Sequence, residues 1–236
     1  MTIHFQQVPA TFIHIPKTAG TSVSVWANNN SIPFIASDEE NKHCTLEKAK
    51  QLFPNTGTVF TIVRNPHDRM VSLFFHVKEI VEKHMKISME KIKEGNLLPA
   101  DTHEQIKIIG DCRRILTVCE LGFNNWITGL LTNAEELQNQ LSPTTNLCKL
   151  IVGELTIAES QASWFNGKMP DIVICMEDLK WDFIKIQDLL GCVAPLPRVN
   201  TSTHADYRYY YSEESFNLLA RAHAEDFKIF GYSACL

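Results

Sequence analysis

The stretch Thr11 to Ser22, TFIHIPKTAGTS, limits what this chain can be more than any other. Thr11-Phe12-Ile13-His14-Ile15 is a β-branched and aromatic run that reads as a buried strand, and Pro16 ends it. Lys17-Thr18-Ala19-Gly20-Thr21-Ser22 then supplies one cation, one glycine and three hydroxyls. Val23, Val25, Trp26 and Ala27 can form the first turns of a helix. A strand, a small-residue turn and a helix N-terminus make an anion site. Backbone N–H groups point out of the turn, the helix dipole adds partial positive charge, and Lys17 adds a full one. The pattern is not a Walker A motif, which places its lysine after the second glycine as GxxxxGK[ST]; here Lys17 precedes Gly20. On this stretch alone a second reading stands, a surface turn with an incidental lysine.

The second organising stretch starts at Thr58-Val59-Phe60-Thr61-Ile62-Val63, a strand that runs into Arg64-Asn65-Pro66. Asn at N-cap followed by Pro at N1 is a strong helix start. Met70, Leu73, Phe74, Val77, Ile80 and Val81 then form one apolar face. Arg64 falls at the C-terminal end of its strand, where open α/β sheets bind ligands, and Ser72 lies about two turns into the helix. Taken singly, Arg64 also reads as half of a surface ion pair, and Ser72 as a helix serine bonded to its own backbone. A third strand, Asp171 to Met176, ends in Glu177-Asp178 and leads to a helix from Trp181 to Leu190, closed by Gly191. Ser212 caps a last helix whose stripe is Phe216, Leu219, Ala220, His223 and Phe227. Three strands, each followed by a helix, predict an α/β fold with a parallel sheet and helices on both faces.

Between these landmarks, Ala27 to Glu40 reads as a loop around Pro33. Thr45 is the N-cap of a short helix with Leu46, Ala49 and Leu52 or Phe53 on its apolar stripe. His43 just precedes it. A helix N-terminus disfavours the imidazolium form and keeps such a histidine able to accept a proton; an ordinary exposed loop histidine is the alternative. Lys78 to Glu94 mixes lysines and glutamates and reads as a solvated helix face, with a substrate-facing basic patch as the alternative. Asn96 to Gly110 reads as a loop around Pro99, followed by helices over Cys112 to Trp126 and Ala134 to Leu141.

Composition narrows the function. The 22 Lys and Arg against 27 Asp and Glu give a formal net charge of −5, so no global basic field recruits nucleic acid. Any anion site must be a local patch. Seven cysteines without a CxxC pair point to reduced thiols in a cytoplasmic protein, and away from a disulfide framework or zinc ribbon. No HExxH occurs, and nothing supports a metal site. No signal peptide and no apolar run long enough to span a bilayer are visible.

The pairing of FIHIPKTAGTS after one strand with FTIVRNPHDRMVS after the next resembles the carbohydrate sulfotransferases that use 3′-phosphoadenosine 5′-phosphosulfate (PAPS). In that family the motifs usually read HIPKTGGTS and VRNPxxRxxS, so Ala19 replaces the usual first glycine while Gly20 remains. His43-Cys44-Thr45-Leu46 looks like the family's histidine before a short helix, and Gln161-Ala162-Ser163-Trp164 like its Q-x-x-W element. ICMEDL, Ile174 to Leu179, looks like its third strand with the following E-x-L. Asn200-Thr201-Ser202 and Ala224 to Tyr232 look like its C-terminal ending. The region from about 95 to 160 is poorly matched, and acceptor specificity is expected there.

The resemblance implies a three-layer, P-loop-nucleotidase-like α/β fold over a single domain, residues 1–236. It implies that Lys17, Thr18, Ala19, Gly20, Thr21 and Ser22 hold the 5′-phosphosulfate, and that Arg64 and Ser72 hold the 3′-phosphate. Lys17 would neutralise charge on the breaking S–O bond, and His43 would be the general base. PAPS is the implied donor, adenosine 3′,5′-bisphosphate (PAP) the product, and no metal is needed. The acceptor would be a hydroxyl of a carbohydrate or glycoconjugate, a glycan or glycolipid, with a small hydroxylated metabolite as the alternative. Most eukaryotic relatives in that family are anchored in the Golgi by an N-terminal membrane segment; none is visible here and the chain starts almost at its first strand, so a soluble, cytoplasmic enzyme is expected, or else the trimmed catalytic part of an anchored one. The competing classes are a P-loop-type nucleotide kinase or ATPase, and a non-catalytic nucleotide-binding module.

Overall fold

A computed structural model of the chain describes residues 1–38, 41–133, 159–199 and 204–234. Its contacts divide the chain into two compact units. The first comprises Met1–Arg69, Ser160–Thr203 and His223–Ala234; the second comprises Met70–Glu159, His204–Ala222 and Cys235–Leu236.

The first unit is built on a sheet of β1 (Ile3–Phe5), β2 (Ala10–Ile13), β3 (Phe34–Ala36), β4 (Thr58–Val63) and β5 (Ile172–Cys175), in the order β3-β1-β2-β4-β5. The strands β2, β4 and β5 run parallel, with Phe12 opposite Phe60 and Phe60 opposite Ile172. All four residues of β2 are buried, the pattern of a strand covered on both faces. The apolar core joins Phe5, Phe12, Phe60 and Ile62 of the sheet to Val23, Trp26 and Ala27 of helix α1 (Gly20–Asn29) and to Phe183 and Ile186. Trp26 indole N–H also donates to the Ala194 carbonyl at 2.7 Å, which ties α1 to the segment after the third strand. Asp171, at the foot of β5, accepts from Val59 N–H at 2.7 Å and fixes the register of the neighbouring strand.

The parallel part of the sheet and its flanking helices are as expected, but two strands are additional. β1 and β3 pair antiparallel, Ile3 opposite Ala36, and β1 pairs antiparallel with β2. Each is three residues long, too short for alternation to stand out in the sequence. The segment read as a loop from Ala27 to Glu40 therefore contains the end of α1 and all of β3.

Three short connections complete this unit. Helix α2 (Leu46–Leu52) is capped by the Thr45 hydroxyl, which accepts from Lys48 N–H at 3.3 Å. A 3-10 turn spans Gln161–Phe165. A second one, Met176–Asp178, follows β5 and leads into helices α6 (Leu179–Asp182) and α7 (Ile184–Leu190), the latter closed by Gly191 at φ 67°.

Helix α3 (Pro66–Glu94) starts as the sequence predicts: Asn65 Oδ1 accepts from His67 N–H at 2.9 Å, and Pro66 occupies N1. Its residues from Met70 onward belong to the second unit. There Met70, Leu73, Phe74, Val77 and Val81 pack with α4 (Pro99–Glu120), α5 (Phe123–Thr132) and α8 (Glu213–Ala222). Pro99 begins a helix here and does not sit in a loop, so the expected loop over Asn96 to Gly110 is corrected. The expected helix over Cys112 to Trp126 breaks at Gly122, whose φ of 88° no helical residue adopts. The last helix likewise divides at His223, φ −108°, into α8 and α9 (Ala224–Phe230). The helix expected over Ala134 to Leu141, and Asn200-Thr201-Ser202, lie outside the described residues.

Candidate active site

The turn after β2 is held by its own hydroxyls and by a neighbouring arginine. Thr18 is fully buried, and its Oγ1 donates to the Ile15 carbonyl at 2.8 Å. Arg69 Nε donates to the Pro16 carbonyl at 3.2 Å, and its guanidinium lies 5.6 Å from the Trp164 ring centre. Lys17 and Ala19 both adopt left-handed backbone, at φ 67° and 63°. Alternating the backbone in this way turns successive N–H groups toward one side, as in anion-binding nests.

Ala19 is the N-cap of α1 and has no side-chain oxygen to offer. The N–H groups of Gly20, Thr21 and Ser22 therefore have no acceptor within their own helix. Thr21 is exposed, whereas Ser22 is buried and accepts from Val199 N–H at 3.2 Å. A left-handed alanine costs roughly 1 kcal/mol relative to glycine. Ala19→Gly, the residue the resembling motif has here, is expected to stabilise the protein by about 0.5–1 kcal/mol in chemical denaturation.

Gly20 is required for space. A Cβ there would fall 1.9 Å from His14 Nε2. The His14 ring is 92 % buried under the turn, and burial, followed by nearby positive charges, holds its pKa well below the usual histidine value. It stays a neutral wedge. His43 packs against it with ring centroids 4.5 Å apart. His43 Nδ1 lies 3.2 Å from the His14 carbonyl oxygen, and Trp164 indole N–H donates to the His43 carbonyl at 3.1 Å. A carbonyl only accepts, so this contact puts the imidazole proton on Nδ1 and the ring lone pair on Nε2.

Arg64 continues β4 by one residue and is 92 % buried. Its Nε donates to Asp68 Oδ2 at 2.8 Å, one helical turn on, and its Nη1 donates to the Lys17 carbonyl at 3.3 Å. Glu177, at the tip of β5, accepts from Asn65 N–H at 2.7 Å and from the Tyr232 hydroxyl at 2.9 Å. The acidic end of the third strand thus braces the start of α3.

Within the first unit, then, Arg64 meets the turn at Lys17, and His43 meets it through His14. Ser72 is buried on α3 and belongs to the second unit. His14 and Arg69, each inside one of the two motifs but given no role there, shape the turn from beneath. A histidine alternating into a strand's buried face, and an arginine one turn inside an apolar helix stripe, were the available signals.

A strand-to-turn-to-helix geometry joined to an arginine at the next strand tip lies at the C-terminal ends of the parallel strands, where α/β sheets commonly bind anionic ligands. A model of the sulfotransferase family matches residues 9–233, and the chain belongs to that family. Transfer of sulfuryl groups is accordingly its general activity. No curated protein and no solved structure matches it. Among the described residues no helix is long and apolar enough to cross a membrane.

Proposed function

We propose that this protein transfers a sulfuryl group from PAPS to a hydroxyl of a carbohydrate or glycoconjugate, using the whole chain as one catalytic domain. The observation that carries the reading is the bond from Arg64 Nη1 to the Lys17 carbonyl, which joins the cation of one motif to the turn of the other. The residues fit the donor. Left-handed Lys17 and Ala19 and the open start of α1 suit the 5′-phosphosulfate, and the buried guanidinium suits the 3′-phosphate by charge-assisted bonds. The resemblance gives Ser72 a share in holding the 3′-phosphate.

When bound, PAPS supplies the sulfuryl group: an S–O bond forms to the acceptor oxygen, the S–O bond to the 5′-phosphate breaks, and PAP leaves. His43 Nε2 takes the proton of the acceptor hydroxyl. Lys17 offsets the negative charge that grows on the bridging oxygen. The turn and Arg64 hold the donor in line, so most of the acceleration comes from positioning and electrostatics.

The test is turnover of PAPS with a panel of hydroxylated sugars, together with binding of PAP and of ATP. PAP binding tighter than ATP, with sulfate appearing on an acceptor oxygen, is the expected result. His43→Ala is expected to lower kcat by about 10²–10⁴-fold and to remove the low-pH limb of the kcat profile. Full activity of His43→Ala at every pH would remove the base assignment, and tighter ATP binding would favour a P-loop kinase.

A further inference from the structure

The backbone of Arg64 is gripped by a buried side chain that neither motif contains. Gln161 has no exposed surface. Its Oε1 accepts from Arg64 N–H at 3.0 Å, and its Nε2 donates to the Arg64 carbonyl at 2.8 Å. One amide therefore satisfies both polar groups of the residue that follows β4. It acts as a rung of sheet ladder supplied by a side chain, beyond the last paired residues Val63 and Cys175.

Gln161 is itself fixed from behind. Asp226 has no exposed surface, and its Oδ2 accepts from Gln161 N–H at 2.8 Å and from Gln161 Nε2 at 3.3 Å. Its Oδ1 accepts from Ser160 Oγ at 2.5 Å and from Ala162 N–H at 2.8 Å. His223 Nδ1 stands 3.7 Å away. The carboxylate thus locks the start of the 3-10 turn that carries Gln161, and also its amide. An amide could turn about its own axis and present its oxygen and nitrogen the other way round. The bond to Asp226 requires the nitrogen on that side, which puts the oxygen on Arg64 N–H.

We infer that Gln161 and Asp226 are positioning residues for Arg64, which fix its backbone so that its guanidinium is aimed at the donor's 3′-phosphate. Neither touches the donor. Buried and fully hydrogen-bonded polar groups specify one arrangement at the expense of others, which is the requirement for a preorganised anion contact. The inference rests on the donor-site reading proposed above.

Calorimetric binding of PAP and of 5′-AMP, which lacks the 3′-phosphate, tests it. Gln161→Met keeps the bulk and removes both bonds to Arg64. It is expected to weaken PAP binding about tenfold while 5′-AMP moves less than about twofold. Asp226→Asn is expected to shift the same ratio by about threefold, and it decides the matter if Gln161→Met does not fold. In an Arg64→Ala background, Gln161→Met is expected to add nothing to the loss of PAP affinity. Equal weakening of both ligands, or an unchanged ratio in both folded variants, overturns the inference and leaves the donor site standing. A wild-type protein that does not prefer PAP to 5′-AMP overturns both.

Discussion

Gly20→Ala is expected to destabilise the protein by about 1–3 kcal/mol, the cost of overfilling a packed site. Two effects compete. Gly20 opens α1, and alanine is the better helix former by about 1 kcal/mol. Propensity alone would therefore make the substitution stabilising. Against it, the new methyl would lie 1.9 Å from His14 Nε2 and 2.0 Å from Cδ2. The ring has little room to retreat. Phe12 stacks at 5.8 Å on one side, and His43 lies at 4.5 Å. The clash should win, and it predicts a specific non-additivity. In a His14→Ala background the space is vacant, so Gly20→Ala should cost nothing or stabilise. Denaturation of the four proteins in this cycle is expected to give a coupling above about 1 kcal/mol. Simple additivity would mean that the ring is not fixed beneath the turn.

That pair also marks where the sequence stops being informative. The turn's cation and the strand-tip arginine were legible because each lies within a local pattern of strand, punctuation and helix start. β4 was read to the residue, and the Asn65-Pro66 start of α3 is a purely local signal. His14 was not legible as a wedge, because its partner is decided by how the chain folds back under α1. The Arg64–Gln161 pairing spans 97 residues, and no periodicity encodes such a contact. The same reason explains the fold differences. β1 and β3 become strands because Ile3 finds both Phe12 and Ala36, not because three residues prefer extended backbone. Pro99 reads as a loop marker in sequence, yet proline at N1 starts helices as readily as it ends them, and here it starts one. The divisions at Gly122 and His223 fall inside continuous apolar stripes. Periodicity reports the face a residue shares and is silent on whether the axis continues.

Lys17→Ala is expected to lower kcat for sulfuryl transfer by about 10²–10³-fold, the loss seen when one donor to a developing oxyanion is removed. Its effect on PAP binding should be much smaller. The argument is one of timing. In the ground state the bridging oxygen carries little charge, so an ammonium beside it gains little. As the S–O bond breaks, that oxygen becomes a full phosphate oxygen, and the interaction strengthens where it lowers the barrier. The backbone allows a clean test. Lys17 sits at φ 67°, and alanine there meets the same left-handed penalty, so the turn itself is not relieved by the substitution. The Lys17 carbonyl that accepts from Arg64 also survives the change. What is lost is the side chain beyond Cβ, and the ammonium with it. Lys17→Arg separates charge from placement, because a guanidinium keeps the charge but spreads it over a wider fork. It should recover part of the rate. A Lys17→Ala protein with normal kcat and weakened PAP binding would make Lys17 a binding residue only. In that case the charge on the leaving oxygen would have to be met by the N–H groups at the start of α1.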